Sequence, residues 1–457
     1  MAFISTVLGL STFPRELRNL SLKYFCLQLV VSGIYLSYTW ISLYYLALLN
    51  SFSTFGFIVA IGMLCGAVLD VPLGILTDRI GQKISFCSAL LCLTIYYLGL
   101  IYAFNPLHLI LLEILVGIYS ALISGSFTSW FMNSWESLSP KKLENGILFR
   151  NVMGNISFAK TIIVAFVILS GGFFLKLGYV LPQTIFFLQA TIAFFGIILG
   201  LKFIDAPRVG EKDEILQKKG NCTFDFSYSS SYFRLRFTSL LISLKEKYSG
   251  VFPYFICFSI LTFTSISFSS FIFSPLFYDL GSSNQTFNQS DIIIDYTAMA
   301  LIFITMTRSL SEFIFAIFSR LSGKITSFIQ SPYKGILFFD IFGYPVIWSF
   351  YICIMIIPIP IYIKLTLFIS IYFFKIVLSG LSIGLFWQFY YKITSSESRS
   401  SQESLFNTIS LLISLIGYGL MGTILESSGF IGGLFFLLIL SCIAIFILVS
   451  AKKMKTN

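Results

Sequence analysis

The chain has 457 residues, of which 57% are hydrophobic, 18% aromatic and only 11% charged. Its mean hydropathy is +0.89. A soluble domain carries about a quarter charged residues, so this composition excludes a soluble enzyme and predicts an integral membrane protein. The apolar runs are continuous rather than alternating, which favours transmembrane helices over a β-barrel.

Apolar runs of roughly 20 residues, the length that crosses a bilayer, predict an all-α fold of about twelve transmembrane helices in two pseudo-symmetric six-helix bundles. We expect an N-terminal half over 1–203, a cytoplasmic linker over 204–250 and a C-terminal half over 251–457. The expected spans are 22–46, 52–76, 84–104, 107–130, 151–175, 182–203, 251–275, 295–318, 336–357, 361–390, 403–424 and 429–450.

The linker is the one long polar segment between predicted spans. Its end, SYFRLRFTSLLISLKEKYSG, repeats large apolar residues at helical spacing beside arginines and lysines. This pattern predicts an amphipathic helix at the membrane surface, and a solvated linker is the alternative.

The basic residues indicate how the chain is oriented. Most of the 30 lysines and arginines fall in connections on the same side as the N-terminus, whereas Lys176 and Lys364 fall on the other side. The positive-inside rule then predicts a multi-pass protein of the cell membrane with both termini in the cytoplasm. We therefore interpret the net charge of +10 as a topology signal rather than as a nucleic-acid surface. The N-terminal stretch has no basic residue before its apolar run, so we expect no cleavable signal.

The P-loop, the zinc-protease motif and metal-ligand spacings are missing. The chain contains no GxxxxGK[ST] or HExxH sequence, and its eight cysteines and one histidine form no CxxC or other metal-ligand spacing. We therefore expect neither an enzyme nor a cofactor.

One cluster of charges stands out between the second and third predicted spans, in the stretch DVPLGILTDRIGQK over 70–83. Gly74, Asp78, Arg79, Gly81 and Lys83 match the signature between the second and third helices of the major facilitator superfamily, which the whole six-plus-six organisation also resembles. A weaker second copy, FSRLSGK, follows the eighth span.

The resemblance implies a cytoplasmic latch between two halves, in which this stretch meets the start of the eleventh helix. Asp70, Gly74 and Asp78 share one helix face, and Arg79 or Lys83 could meet Glu136 beyond the fourth span. The alternative is that Arg79 and Lys83 simply hold the turn in the cytoplasm.

Charges within spans are costly in a bilayer and should face the protein interior. Glu113 is the preferred proton-sensitive carboxylate, because burial disfavours its charge unless Lys160 offsets it. Structural pairing, of Arg308 with Glu312 and of Glu113 with Lys160, is the alternative to a solute or ion role. The complete set of candidate pathway residues is Tyr38, Glu113, Ser124, Ser126, Lys160, Arg308, Glu312, Lys375, Trp387 and Gln388.

These features predict a secondary transporter that moves a small organic solute by alternating access. Export is the leading direction, with coupling to protons left open; an uptake symporter or facilitator and a non-transporting sensor are the alternatives. The family's antiporter signatures are incomplete, since Glu113 stands where an arginine is common and the fifth span lacks the expected proline. We expect a monomer whose partners are the lipid bilayer, the solute and protons, without nucleic acid.

Overall fold

The computed structural model describes residues 13–138, 142–176, 181–204, 252–276, 299–328, 343–393 and 399–453. These residues form helices joined by short connections, and the described part contains no strand. The prediction of an all-helical membrane protein is confirmed. The predicted interfacial helix of the linker lies outside the described residues.

The helices follow one another in an order that we number α1 to α12. The first six are α1 (Arg15–Ser32 and Ile41–Leu49), α2 (Phe52–Ile80), α3 (Gln82–Ile101), α4 (Pro106–Leu138), α5 (Lys142–Lys176) and α6 (Pro182–Phe203). The next four are α7 (Phe252–Ser267, continued by Phe268–Phe273), α8 (Met299–Phe328), α9 (Gly343–Ile356) and α10 (Ile361–Ile393). The segment Arg399–Lys453 contains α11 and α12.

Ten helical segments of the described chain are long and apolar enough to cross a membrane. The last of them, Asn407–Leu448, is 42 residues long and contains parts of two helices, because Gly429 has the non-helical angles φ 63° and ψ −167° and separates α11 from α12. Helix α9 is apolar but shorter, Gly343–Ile356. Helices therefore lie at the positions of the twelve predicted spans, as ten candidate membrane-spanning segments and the shorter α9.

Two predicted boundaries are wrong in a way that matters for the site. The first span begins at Arg15 rather than at residue 22, and it is interrupted by a 3-10 turn at Gly33–Leu36. The second continues to Ile80 rather than ending near residue 76, so Asp78 and Arg79 belong to its last turn. Gly81 then reverses the chain with φ 89°, a conformation that favours glycine.

The most extensive contacts between α1–α6 and α7–α12 are made by two pairs of helices. In the first pair, α2 packs against α11, and a Cβ atom at Gly56 would lie 2.6 Å from the carbonyl oxygen of Tyr418. In the second pair, α5 packs against α8, where Gly172 faces Thr305 with no room for a side chain. Small residues allow this close approach between helices in a membrane.

Candidate functional site

A buried carboxylate connects the first six helices to the last six. Asp70 on α2 is 0% exposed. Its Oδ1 accepts a hydrogen bond from Ser124 Oγ on α4 at 2.7 Å, and its Oδ2 accepts from Asn407 Nδ2 on α11 at 2.8 Å. Thr408 Oγ1, also on α11, lies 3.4 Å from the same oxygen. Three helices therefore meet at one side chain, which we call the Asp70 latch.

The family resemblance led us to expect that Asp78, at the base of the signature stripe, contacts α11. The Asp70 latch lies about two helical turns before Asp78 on α2. Asp78 and Arg79 occupy the last turn of α2, and their side chains fall outside the described residues. Gly74 is buried in α2, and Lys83 is half-buried at the start of α3. Glu136 is exposed near the end of α4.

A second carboxylate joins the opposite ends of α2 and α11. Glu426 Oε2 on α11 accepts from Ser51 Oγ at 2.9 Å and from the backbone N–H of Ser53 at 2.7 Å. Ser51 is also the N-cap of α2, because its Oγ accepts from the N–H of Thr54. We call this contact the Glu426 latch. Sequence reasoning missed it, although a serine N-cap opposite a carboxylate at a helix end was an available signal.

Arg308 lies in a nest of aromatic rings where α1, α7, α8 and α10 meet. Its side chain is 5% exposed, and Nη1 donates to the hydroxyl of Tyr372 at 2.7 Å. The guanidinium carbon lies 5.1 Å from the ring centre of Tyr38 and 5.6 Å from that of Phe273. Tyr38 belongs to the first six helices, so this nest contains side chains from both sets.

Lys375, about one turn after Tyr372 on α10, has a similar environment. It is 1% exposed, and its ammonium donates to the carbonyl oxygen of Ser265 at 3.1 Å. The nitrogen lies 5.3 Å from the ring centre of Phe268 and 5.9 Å from that of Trp348. Cation–π contacts of this kind stabilise a buried charge by about 0.5–2 kcal/mol.

Lys160 on α5 and Glu312 on α8 act on each other electrostatically. Both are half-buried, and Glu312 lies in the electrostatic field of both Lys160 and Arg308. Lys160 is thus linked to the last six helices, whereas the sequence suggested a bridge to Glu113 within the first six. We call the group of Tyr38, Lys160, Arg308, Glu312, Tyr372 and Lys375 the central cluster.

Glu113 occupies a separate position on α4. It is 6% exposed, and its Oε1 accepts from the hydroxyl of Tyr45 at 2.8 Å. The hydroxyl of Tyr45 also lies 3.2 Å from that of Tyr96. Helix α2 passes close to this carboxylate at Gly62, where a Cβ atom would lie 2.8 Å from Oε2. Glu113 is therefore held by tyrosines rather than by a cation.

A row of stacked rings connects the neighbourhood of Glu113 to α11. Ring centres lie 5.7 Å apart for Tyr45 and Phe55, 4.5 Å for Phe55 and Phe271, and 5.4 Å for Phe271 and Tyr418. The row crosses from the first six helices to the last six at Phe55 and Phe271. It fills the interior between the two latches with apolar surface.

The two helices that begin each set of six are both irregular beside the central cluster. Helix α1 changes to a 3-10 turn at Gly33–Leu36, and Gln189 Nε2 on α6 donates to the freed carbonyl oxygens of Gly33 and Ile34 at 3.2 and 2.8 Å. Helix α7 changes to a π-helix at Phe268–Phe273. Interrupted helices are common at transporter binding sites.

The remaining polar candidates divide into three cases. Ser124 belongs to the Asp70 latch. Ser126 is buried and bonds to the carbonyl oxygen of Leu122 on its own helix at 2.7 Å, which is a packing role. Trp387 and Gln388 lie in α10, but their side chains fall outside the described residues.

Two further features bear on what the site holds. The described part of the chain contains no group of three His, Cys, Asp or Glu side chains placed to bind a metal ion. A groove between α2 and α11 is lined by Phe57, Leu64, Ile416 and other apolar residues. These three side chains are exposed and the groove is almost wholly apolar, so it suits lipid chains rather than a polar solute.

Comparison with known proteins defines the fold. No family profile and no curated protein sequence matches this chain. Two crystal structures of the nucleoside transporter NupG do match, both with a TM-score of 0.62. A point mutant is 14% identical over 95% of this chain and 99% of its own, and the other structure is 12% identical over 97% and 100%. The chain is therefore a multi-pass helical membrane protein with the fold of a solute transporter.

Proposed function

We propose that this protein is a secondary transporter of the major facilitator type, which carries a small organic solute across the cell membrane by alternating access. The central cluster carries the proposal, because Tyr38 from the first six helices and Arg308 from the last six meet in one charged, aromatic site. A solute bound there would contact both sets of helices, and their relative movement would expose it to one side at a time.

The proposed movement is a rocking of residues 1–203 against 251–457, with both termini and the 204–250 linker in the cytoplasm. Separation at the Asp70 latch would open the cytoplasmic side, and separation at the Glu426 latch would open the outer side. Contacts along α5 and α8, such as Ser309 Oγ donating to the carbonyl oxygen of Ala165 at 2.8 Å, would act as the hinge of this movement. A monomer suffices for this mechanism.

For the driving force, we propose export coupled to protons through Glu113. This carboxylate is enclosed between α2 and α4 and is bonded to Tyr45 on α1. A change in its protonation would alter the packing of three helices that surround the pathway. Uptake by symport or facilitated diffusion is the second candidate for direction and coupling.

The test is solute flux in proteoliposomes, with and without a pH gradient. The panel starts with nucleosides, because the matching structures are of a nucleoside transporter, and includes organic anions, cations and neutral aromatic solutes. We expect flux of at least one class to follow the pH gradient. Binding without flux for the whole panel would overturn the proposal in favour of a sensor.

Proton coupling is tested by the substitution Glu113→Gln. Glu136→Gln, at an exposed carboxylate on the same helix, is the control. We expect Glu113→Gln to transport with a rate that no longer depends on pH, because the amide cannot release a proton, while Glu136→Gln keeps the wild-type dependence. An unaltered pH dependence in Glu113→Gln would exclude this residue as the coupling group.

A further inference from the structure

The two deeply buried cations of the central cluster, Arg308 and Lys375, are held by aromatic and backbone groups. Arg308 bonds to Tyr372 through Nη1, but its Nε has no hydrogen-bond acceptor among the described residues. The ammonium of Lys375 donates to the carbonyl oxygen of Ser265. Within the described ranges, no carboxylate forms an ion pair with either side chain. Burying a cation without an anion is costly, so the site is incomplete as it stands.

The wider charge balance points the same way. Lys160, Arg308 and Lys375 contribute three positive charges, and Glu312 contributes one negative charge that acts on Lys160 and Arg308. Lys375 instead experiences the positive charge of Arg308. Among the residues whose burial the structure describes, the other buried carboxylates are Asp70 and Glu113, and both have hydrogen-bond donors of their own. Positive charge is therefore in excess, and the excess lies between α8 and α10.

The walls of the site are aromatic. Tyr38 and Phe273 lie against the guanidinium of Arg308, and Phe268 and Trp348 lie against the ammonium of Lys375. Rings of this kind accept a planar apolar group, and an arginine matches a carboxylate or a phosphate through paired N–H donors. The irregular segments of α1 and α7 adjoin the same walls.

We propose that the transported solute is an organic anion. Its carboxylate or phosphate group binds between Arg308 and Lys375, and its planar body lies against Tyr38 and Phe273. This inference rests on the proposed transporter function and names the class of solute. It distinguishes the chain from a carrier of neutral solutes, for which two buried cations would be a liability rather than a binding element.

Calorimetric titration of the purified full-length protein tests the proposal with solutes that share a ring system and differ in charge. The probes are indole-3-acetate, its neutral amide and tryptamine, together with uridine 5′-monophosphate and uridine. We expect at least one anion to bind about tenfold or more tightly than its neutral counterpart, as a charge-assisted hydrogen bond predicts. We expect Arg308→Gln and Lys375→Gln each to remove that preference.

Matched controls come from the same two helices. Arg320 on α8 is exposed, and its guanidinium carbon lies 5.0 Å from the ring centre of Phe158. Lys364 on α10 donates to the carbonyl oxygen of Met355. Arg320→Gln and Lys364→Gln should keep the preference for the anion. Arg308→Lys and Lys375→Arg, which retain the charge, should keep part of it and separate loss of charge from loss of folding.

Three results would overturn the inference: equal affinity for anion and neutral counterpart, a preference unchanged in both Gln variants, or no binding of either anion. Flux of the same probes in proteoliposomes separates this failure from failure of the proposed function. Flux of a neutral probe without preference for the anion leaves the transporter intact and removes the anion site. Binding of the anion without flux of any probe would keep the anion site and remove the proposed transport function.

Discussion

The two latches that hold α2 against α11 use the same kind of group in opposite surroundings. Asp70 is fully buried and receives three side-chain hydrogen bonds from two other helices. Glu426 is exposed and receives one side-chain and one backbone hydrogen bond from the start of α2. Both carboxylates bridge the same pair of helices, so their environment is the main difference between them.

That difference has an energetic consequence. Water competes for the donors of an exposed carboxylate, whereas the donors of a buried one have no other acceptor once the contact breaks. The Asp70 latch should therefore be the harder of the two to open. Since Asp70 lies toward the end of α2 that we assign to the cytoplasm, the protein should open to the outside more readily than to the inside.

Asp70→Ala should have the largest effect on this comparison. The substitution leaves Ser124 and Asn407 without their acceptor at a buried contact, and we expect it to lower the free energy of unfolding by roughly 2 kcal/mol. Denaturant unfolding of the detergent-solubilised protein measures the change.

Ser124→Ala is the control for that substitution, because Asp70 keeps its bonds to Asn407 and Thr408. Its effect should be less than half as large. If Asp70→Ala unfolds at the same denaturant concentration as the wild type, the Asp70 latch does not stabilise the protein.

The sequence predicted the helix face and the partner helix of the Asp70 latch, but not the residue that makes the contact. The spacing of Asp70, Gly74 and Asp78 placed them on one face of α2, and the family resemblance implied α11 as the partner. The sequence could not show that Asp70, rather than Asp78, makes the contact. Apolar runs determine which residues of a helix cross the membrane, but they hardly determine how the helix is rotated about its axis. Asp70 and Asn407 are separated by 337 positions in the chain, and such a contact depends on the packing of every helix between them.

Asp78→Asn tests whether the signature turn adds to the Asp70 latch. If it does, the loss of an anion near the start of α11 should weaken the contact between α2 and α11 at their cytoplasmic ends. The effect should be smaller than that of Asp70→Ala, because this end of α2 is closer to water. We expect the inward-open population to rise about threefold. Spin-label distances between Ser137 and Leu321, exposed near the cytoplasmic ends of α4 and α8, report it.

The alternative interpretation, that Arg79 and Lys83 only fix the topology, predicts no change in those distances for Asp78→Asn. Arg79→Gln serves as the comparison, since it removes a charge from the same turn without removing the anion. Distances that respond to Arg79→Gln but not to Asp78→Asn would favour the topological role.

Glu426→Gln should have the smallest effect of these substitutions, and it should favour the outward-open state rather than the inward-open one. The amide oxygen can still accept from Ser51 or Ser53, but without the charge, so the outer end loosens slightly and the outward-open population should rise by less than about threefold. Labels at Phe104, in the connection between α3 and α4, and at Ile361, the first residue of α10, measure it; both side chains are exposed. A response larger than that of Asp78→Asn would reverse the proposed ranking of the two ends.

The central cluster was predicted in part. Composition alone singled out Arg308, Glu312 and Lys375, because charges are rare in these spans. Their spacing on one helix suggested that Arg308 and Glu312 interact, and Arg308 does act electrostatically on Glu312. The partners on other helices were not predictable, since Tyr372 bonds to Arg308 from α10 and Lys160 acts on Glu312 from α5. The interruption of α1 was also missed, because Gly33–Leu36 is as apolar as its surroundings and depends on Gln189 from α6 for its hydrogen bonds.

Alternating access is tested most directly by measuring both ends of the molecule in one set of conditions. Spin-label distances for the Ser137–Leu321 pair and for the Phe104–Ile361 pair are recorded in a background without native cysteines, in wild-type and Asp70→Asn protein. The account predicts that Asp70→Asn lengthens the cytoplasmic distance and shortens the outer one. Distances that stay fixed at both ends, or that lengthen together, would contradict it.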